Sequence, residues 1–164
     1  MKRMSGKTLI FWVEDAAYDP LLPSKALLTS ARDISCAIAT GYTLNPTKSD
    51  VNTKQTICDE TEVETPVRYN YEGNLTFFRE GDLADSVSAF ARAFAFFGTE
   101  RKAGWLVRRS GIARSVPLAV GSQKVDSFQF VNDVYQDAED EELIMFQIKF
   151  LQQGTMELDK ALVA

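Results

Sequence analysis

In a chain without histidine, chemistry would have to come from the carboxylates, the two cysteines or the hydroxyls. Histidine is the commonest general base near neutral pH and the commonest metal ligand, so its absence removes much of both classes of site. Cys36 and Cys58 are too few and too far apart for a zinc knuckle. They stand in β-rich stretches beside Ile34, Ile38 and Ile57, so buried free thiols are expected. The alternative, a disulfide between neighbouring strands, is disfavoured for a cytoplasmic fold. There is no glycine-rich phosphate loop, no G-x-S-x-G and no other nucleophile motif. A nucleophilic serine would have only lysine or a carboxylate as its base. Acids gather in two runs, 59–64 and 137–142, which read as solvated surface. An acidic calcium loop is the other reading, but neither run has the alternating spacing and central glycine of an EF-hand. Counting alone does not exclude a glycosidase-like carboxylate pair. The expectation is a protein that is not an enzyme, with no catalytic residue, cofactor or metal site to assign.

The 164 residues suit one domain, with 45% hydrophobic and 25% charged residues. No apolar stretch is long enough for a membrane helix. Residues 1–8 are basic, but the apolar run behind them is short and meets Glu14 and Asp15, so no signal peptide is read. A net charge of −5 argues against gripping nucleic acid through its phosphates and suits a surface that must not hold DNA.

The elements follow from periodicity. Residues 8–14 read as a strand, 15–23 as a loop with Pro20 and Pro23, and 24–30 as a short turn of helix. Over 32–40, Ile34, Cys36 and Ile38 alternate with Ser35, Ala37 and Ala39, which predicts a strand with one buried face. Residues 41–55 form a long polar loop, of a length that is usually functional. Residues 68–79 read as a strand with Tyr69, Tyr71, Leu75 and Phe77 on one face and Arg68, Asn70, Glu72, Asn74 and Thr76 on the other. Gly73 marks a bulge or a close backbone approach. One helix is predicted over 83–97, with Asp82 as N-cap and Gly98 as stop. Its stripe of Leu83, Val87, Phe90, Phe94 and Phe97 would pack on a sheet, leaving Phe96 opposite as a stray apolar residue or a contact point. Strands resume at 104–109 and 124–136, with 137–142 as a hairpin tip. In 143–152, Ile144, Phe146, Ile148 and Phe150 point inward while Met145, Gln147 and Lys149 point outward. Residues 154–164 leave the sheet as a tail. The fold is therefore mainly β, a β-sandwich or flattened barrel with one packed α-helix, in a single domain 1–164.

Two features point to assembly. In the 41–55 loop, Leu44, Asn45, Pro46, Lys48, Asp50 and Asn52 are candidate contacts with another subunit, joined by Phe96 on the helix. A basic stretch holding Arg101, Lys102, Arg108, Arg109 and Arg114 contrasts with the acidic run holding Asp137, Glu139 and Asp140. Opposite charges at opposite ends favour head-to-tail contact, although charges also segregate by chance.

The succession of Asp33-Ile34-Ser35-Cys36, the loop with Asn45-Pro46-Thr47, the Ile57-Cys58 strand, the aromatic strand leading into a helix, and Gly104-Trp105-Leu106-Val107-Arg108-Arg109 is a recognisable order. With Gly121 through Val125 leading to the final hairpin, it resembles the major tail tube protein of long, non-contractile-tailed bacteriophages of the siphovirus type, above all those infecting actinobacteria. The likeness spans roughly 33–153. It implies a tail tube fold that polymerises as stacked hexameric rings, with strands joining a ring β-barrel around a lumen. Its implied partners are other copies of itself, a tape-measure protein in the lumen, other tail proteins at the tube ends, and DNA passing transiently without specific binding. No membrane and no cofactor are implied. The implied location is the virion tail, after assembly in the bacterial host cytoplasm. In that family a long loop reaches a neighbouring subunit or ring and the termini contribute to stacking, roles that would fall to 41–55 and 154–164. Six copies would sum the −5 per chain to about −30, a wall that repels phosphates. The expected lumen face is Arg68, Asn70, Glu72 and Asn74, or Gln147 and Lys149. Competing readings are a β-sandwich binding or adhesin module, which would be a stable monomer with an exposed aromatic platform, and a related tail protein such as a terminator or a contractile-machine tube. An enzyme of unfamiliar type would need a pocket holding a carboxylate of strongly shifted pKa.

Overall fold

The computed structural model describes residues 6–54, 58, 63–82, 84–99, 101–140 and 143–164. Along the chain run β1 (Thr8–Glu14), α1 (Lys25–Ser30), β2 (Arg32–Asp33), β3 (Thr43–Pro46), β4 (Asp50–Lys54), β5 (Val63–Arg68), β6 (Tyr71–Phe78), α2 (Ala89–Phe97), β7 (Ala103–Ser110), β8 (Lys124–Asn132), β9 (Gln136–Asp140) and β10 (Leu143–Ala161). The main sheet is antiparallel in the order β2-β1-β7-β8-β10-β6-β3, with β9 also bonded to β10, while β4 and β5 pair separately. β10 is 19 residues long and serves several partners in turn, β9 and β6 first and β8 afterwards.

β2 and β3 lie at opposite ends of the strand order yet are neighbours in sequence. Ile34 N donates to Ile10 O at 3.1 Å, and Ala39 N donates to Thr76 O at 2.7 Å. A 3₁₀ turn, Ser35–Ala37, covers the gap between those anchors. Asp33 Oδ1 accepts from Ser35 N (2.9 Å) and Ser35 Oγ (2.6 Å), an Asx-type turn that competes with extended pairing. The expected continuous strand over 32–40 is therefore broken in two, and each half joins a different edge of the sheet.

The curled sheet encloses an aromatic core. Phe77 stacks on Phe146 at 5.1 Å and 13°, Phe94 meets Phe146 edge-on, and Phe97 meets Trp12 edge-on at 5.4 Å. Such geometries add about 0.5–1.5 kcal/mol per pair beyond burial. β1 is buried on both faces. Ile10 and Trp12 enter this core, whereas Leu9, Phe11 and Val13 enter a second one with Tyr18, Leu28, Trp105 and Leu162. Two glycines are required by close approach. A Cβ on Gly104 would lie 2.5 Å from Val13 O, and one on Gly73 would lie 2.9 Å from the Phe130 ring, so Gly73 is a close approach.

Several expectations are corrected. α2 begins at Ala89 with Ser88 as N-cap, accepting from Ala91 N at 3.0 Å, not at 83 with Asp82. Asp82 Oδ1 accepts from Ala84 N (2.9 Å) and Asp85 Oδ1 from Val87 N (2.8 Å), so both acids form local turns that hold off the helix. Val87 is consequently 76% exposed, and Leu83 lies outside the described residues. Within the loop expected over 41–55, residues 43–46 are β3 and residues 50–54 are β4. The strand expected over 68–79 is divided between β5 and β6. Ile144 points outward, and residues 154–164 stay in the sheet as far as Ala161 with Leu162 buried in the second core. Cys36 and Cys58 are both exposed free thiols, because the strands expected to bury them are a 3₁₀ turn and an arm tip.

In the second core Tyr18 Oη and Ser127 Oγ lie 2.7 Å apart, and burial pushes the phenol up to about 12. The folded value exceeds the unfolded value near 10, so this stability is complete below about pH 10 and is lost as pH rises towards 12. Tyr71, raised mainly by burial, acts in the same direction. Urea midpoints are expected to fall across that window, and more shallowly in Tyr18→Phe, which should also lose about 1 kcal/mol at pH 8. Gly104→Ala should cost about 1–3 kcal/mol by thermal melting, through the clash with the paired strand.

Candidate assembly surfaces

β4 and β5 form a hairpin arm whose described side chains are exposed. Val67 is 66% and Tyr69 68% exposed, apolar surface without cover in the isolated chain. The arm is tied down at its base: Thr47 N donates to Asn70 O (2.8 Å), and Asn70 Nδ2 donates to Lys48 O (3.2 Å) and Asp50 Oδ1 (3.0 Å). Pro66 is tolerated because the hairpin is all edge. Of the candidate contacts, Pro46, Lys48, Asp50 and Asn52 are exposed along the arm and its base. Leu44 is not a contact residue, since it is fully buried in the aromatic core. Asn45 is exposed, but its Oδ1 accepts from Arg108 Nη1 at 3.3 Å. Gln55, Ile57 and the acids 59–62 lie outside the described residues, and Cys58 sits in a turn between β4 and β5.

The expected lumen residues separate into two groups. Asn74 faces Lys149 across β6 and β10, Gln147 faces Thr76, and Asn45 faces Glu72 across β3 and β6. Directly opposed residues share a face, so these side chains make one outward polar patch opposite Leu75, Phe77 and Ile148. Within it Glu72 and Lys149 are one acid and one base, so the chain's negative charge is not concentrated there. Arg68 and Asn70 belong instead to the arm and its base.

The described members of the charge contrast are largely engaged within the chain. Arg109 is fully buried, donating from Nη1 to Val116 O (2.8 Å) and Gln123 Oε1 (3.0 Å) and from Nη2 to Ala113 O (3.0 Å). Burial pushes its pKa down. It organises the loop after β7 and is no subunit contact. Arg108 bonds Leu44 O and Asp126 Oδ2 (3.0 Å), tying β7 to β3 across the core. Asp137 lies 3.8 Å from Arg79, and the side chains of Glu139 and Asp140 lie outside the described residues. Phe96 is half-buried and meets Trp12 edge-on at 6.4 Å, with Arg32 4.1 Å and Lys102 4.7 Å from its ring centre. It is a core-margin residue and not a stray one.

Beside Phe96 a cleft of about 730 Å³ opens between α1, β2 and α2. Trp12, Leu27 and Phe96 give it apolar walls, and Arg32, Cys36 and Arg92 line it as well. Arg114 Nη2 donates to Cys36 Sγ at 2.8 Å. Gln152 is a further positioning residue that periodicity did not single out. It accepts from Tyr71 N (3.0 Å) and donates to Tyr69 O (3.2 Å), replacing the ladder where β10 parts from β6.

The described residues thus form a curled antiparallel sheet with a packed helix and a projecting, exposed hairpin. The phage tail tube protein family model matches residues 2–164, and the chain belongs to that family of structural tail proteins, which are not enzymes. Among solved structures it is similar to a chain of the cryo-EM structure of the anti-feeding prophage (AFP) baseplate, 6-fold symmetrised. That likeness has 12% identity and a TM-score of 0.52, over 98% of this chain and 97% of the other, and it concerns the fold. No curated protein matches the chain.

Arg109→Ala should remove about 2–4 kcal/mol by emptying a fully buried site and deleting the bonds to Val116 O, Ala113 O and Gln123 Oε1. Trypsin should then cut faster after the exposed Arg114, a readout of the loop that a global melt would miss.

Proposed function

We propose that this chain is the repeating subunit of a tail tube, polymerising as stacked rings of six that enclose a channel for DNA delivery. The carrying observation is the exposed β4–β5 arm, whose open edges and apolar side chains find no cover within the described chain. Membership of the tail tube family and the fold shared with a chain in a six-fold symmetrised baseplate support the ring. Unpaired edges invite pairing, and closing them against identical neighbours prevents disordered aggregation. In this reading the chain acts as one domain, and the tube is of the long, non-contractile kind. It is assembled in the host cytoplasm around a tape-measure protein, with other tail proteins at its ends. The patch of Asn45, Glu72, Asn74, Gln147 and Lys149 faces the lumen, where polar side chains of balanced charge neither grip nor exclude a passing duplex. The likeness to a baseplate chain favours one alternative, a ring at a tube end that does not stack.

Negative-stain microscopy of the concentrated protein should show rings and tubes with a central hole. Single rings that never stack would assign it to a tube end, and a monomer at every concentration and salt would refute both readings. Replacing 49–69 with a short turn should preserve the melting transition and abolish polymerisation. Normal tubes from that variant would remove the arm's role.

A further inference from the structure

We propose that the cleft between α1, β2 and α2 receives the tip of the β4–β5 arm from a second copy of this chain. This rests on the reading that the arm joins subunits, and it specifies the receptor. Residues 55–62, which connect β4 to β5, carry Ile57 and Cys58 followed by Asp59, Glu60 and Glu62. The cleft offers the complement: apolar Leu27 and Phe96, with Arg32 and Arg92 exposed on its walls. Neither arginine forms an ion pair with another described residue. The cleft's own acids are Asp33, whose Oδ1 is engaged by Ser35, and Glu14, while Arg114 beside Cys36 adds a further cation. A basic occupant such as the chain's own residues 1–5, with Lys2 and Arg3, meets like charge there. The 6 residues of β5 give the arm a reach of roughly 20 Å before its tip begins.

Docking brings together the only two cysteines of the chain, one lining the cleft and one in the arm tip. A disulfide needs Cα atoms within about 7 Å, so cross-linking is a sharp test of position. The full-length protein is assembled and treated with diamide, which takes up the two electrons and two protons released as two thiols join. A ladder of covalent oligomers is expected on a non-reducing gel, abolished by Cys36→Ser and equally by Cys58→Ser. Tubes made from a mixture of the two variants should yield dimers and nothing larger. Separately, Arg32→Glu with Arg92→Glu should raise the concentration needed for polymerisation roughly tenfold, and Asp59→Lys with Glu60→Lys in the same chain should restore it. Tubes without a Cys36–Cys58 link between chains, or charge-reversed protein polymerising at the wild-type concentration, would overturn the docking and leave the tube standing. A folded protein that stays monomeric throughout would overturn both.

Discussion

A sheet this wide can enclose a core only if its outermost strands are brought round towards each other. In this chain the short crossing from Ile34 to Ile38 does so, with one end bonded to β1 and the other to β6. The joint is covalent, so curvature is imposed by the length of the crossing. Burial then acts on a shape already set: Phe77, Phe97, Phe146 and Phe150 meet because strands from both halves are held within reach. Arg108 adds a polar brace across the same span, from β7 to the carbonyl of Leu44 on β3. With that core occupied, the described residues offer sheet edges, an arm and a cleft for dealings with other molecules.

Elements whose pattern arose from burial were legible in the sequence. Thr8–Glu14 translates directly because a short run of Ile, Phe, Trp and Val suits a strand buried on both faces, and Phe146, Ile148 and Phe150 because a strand with one buried face must repeat every two residues. Failures occurred where side chains capture backbone groups locally. Asp82 and Asp85 look like helix starters but are consumed in their own turns, and Asp33 with Ser35 breaks an apparently regular strand. Periodicity carries no information about such competition.

Candidate surface residues were less legible for a related reason. Leu44 lay in a polar stretch and Arg109 in a basic one, yet single residues in polar runs can be the inward ones. An arginine is buried when carbonyls from a following loop converge on it, which only the tertiary path reveals. Glu72, Asn74, Gln147 and Lys149 were placed correctly as outward residues, because facing away from an apolar strand face is itself periodic.

β10 has a mechanical aspect. A single continuous strand of 19 residues is hydrogen-bonded to β9, β6 and β8 in succession, so it runs through the body like a spine. Tension applied along it loads many antiparallel bonds in shear simultaneously, whereas tension across it would peel them singly. Shear is the more resistant mode. Its register breaks between Gln152 and Met156 and between Glu157 and Lys160 interrupt that stiffness at defined points. A body built round such a strand bends more easily at those joints than along the uninterrupted ladder between them.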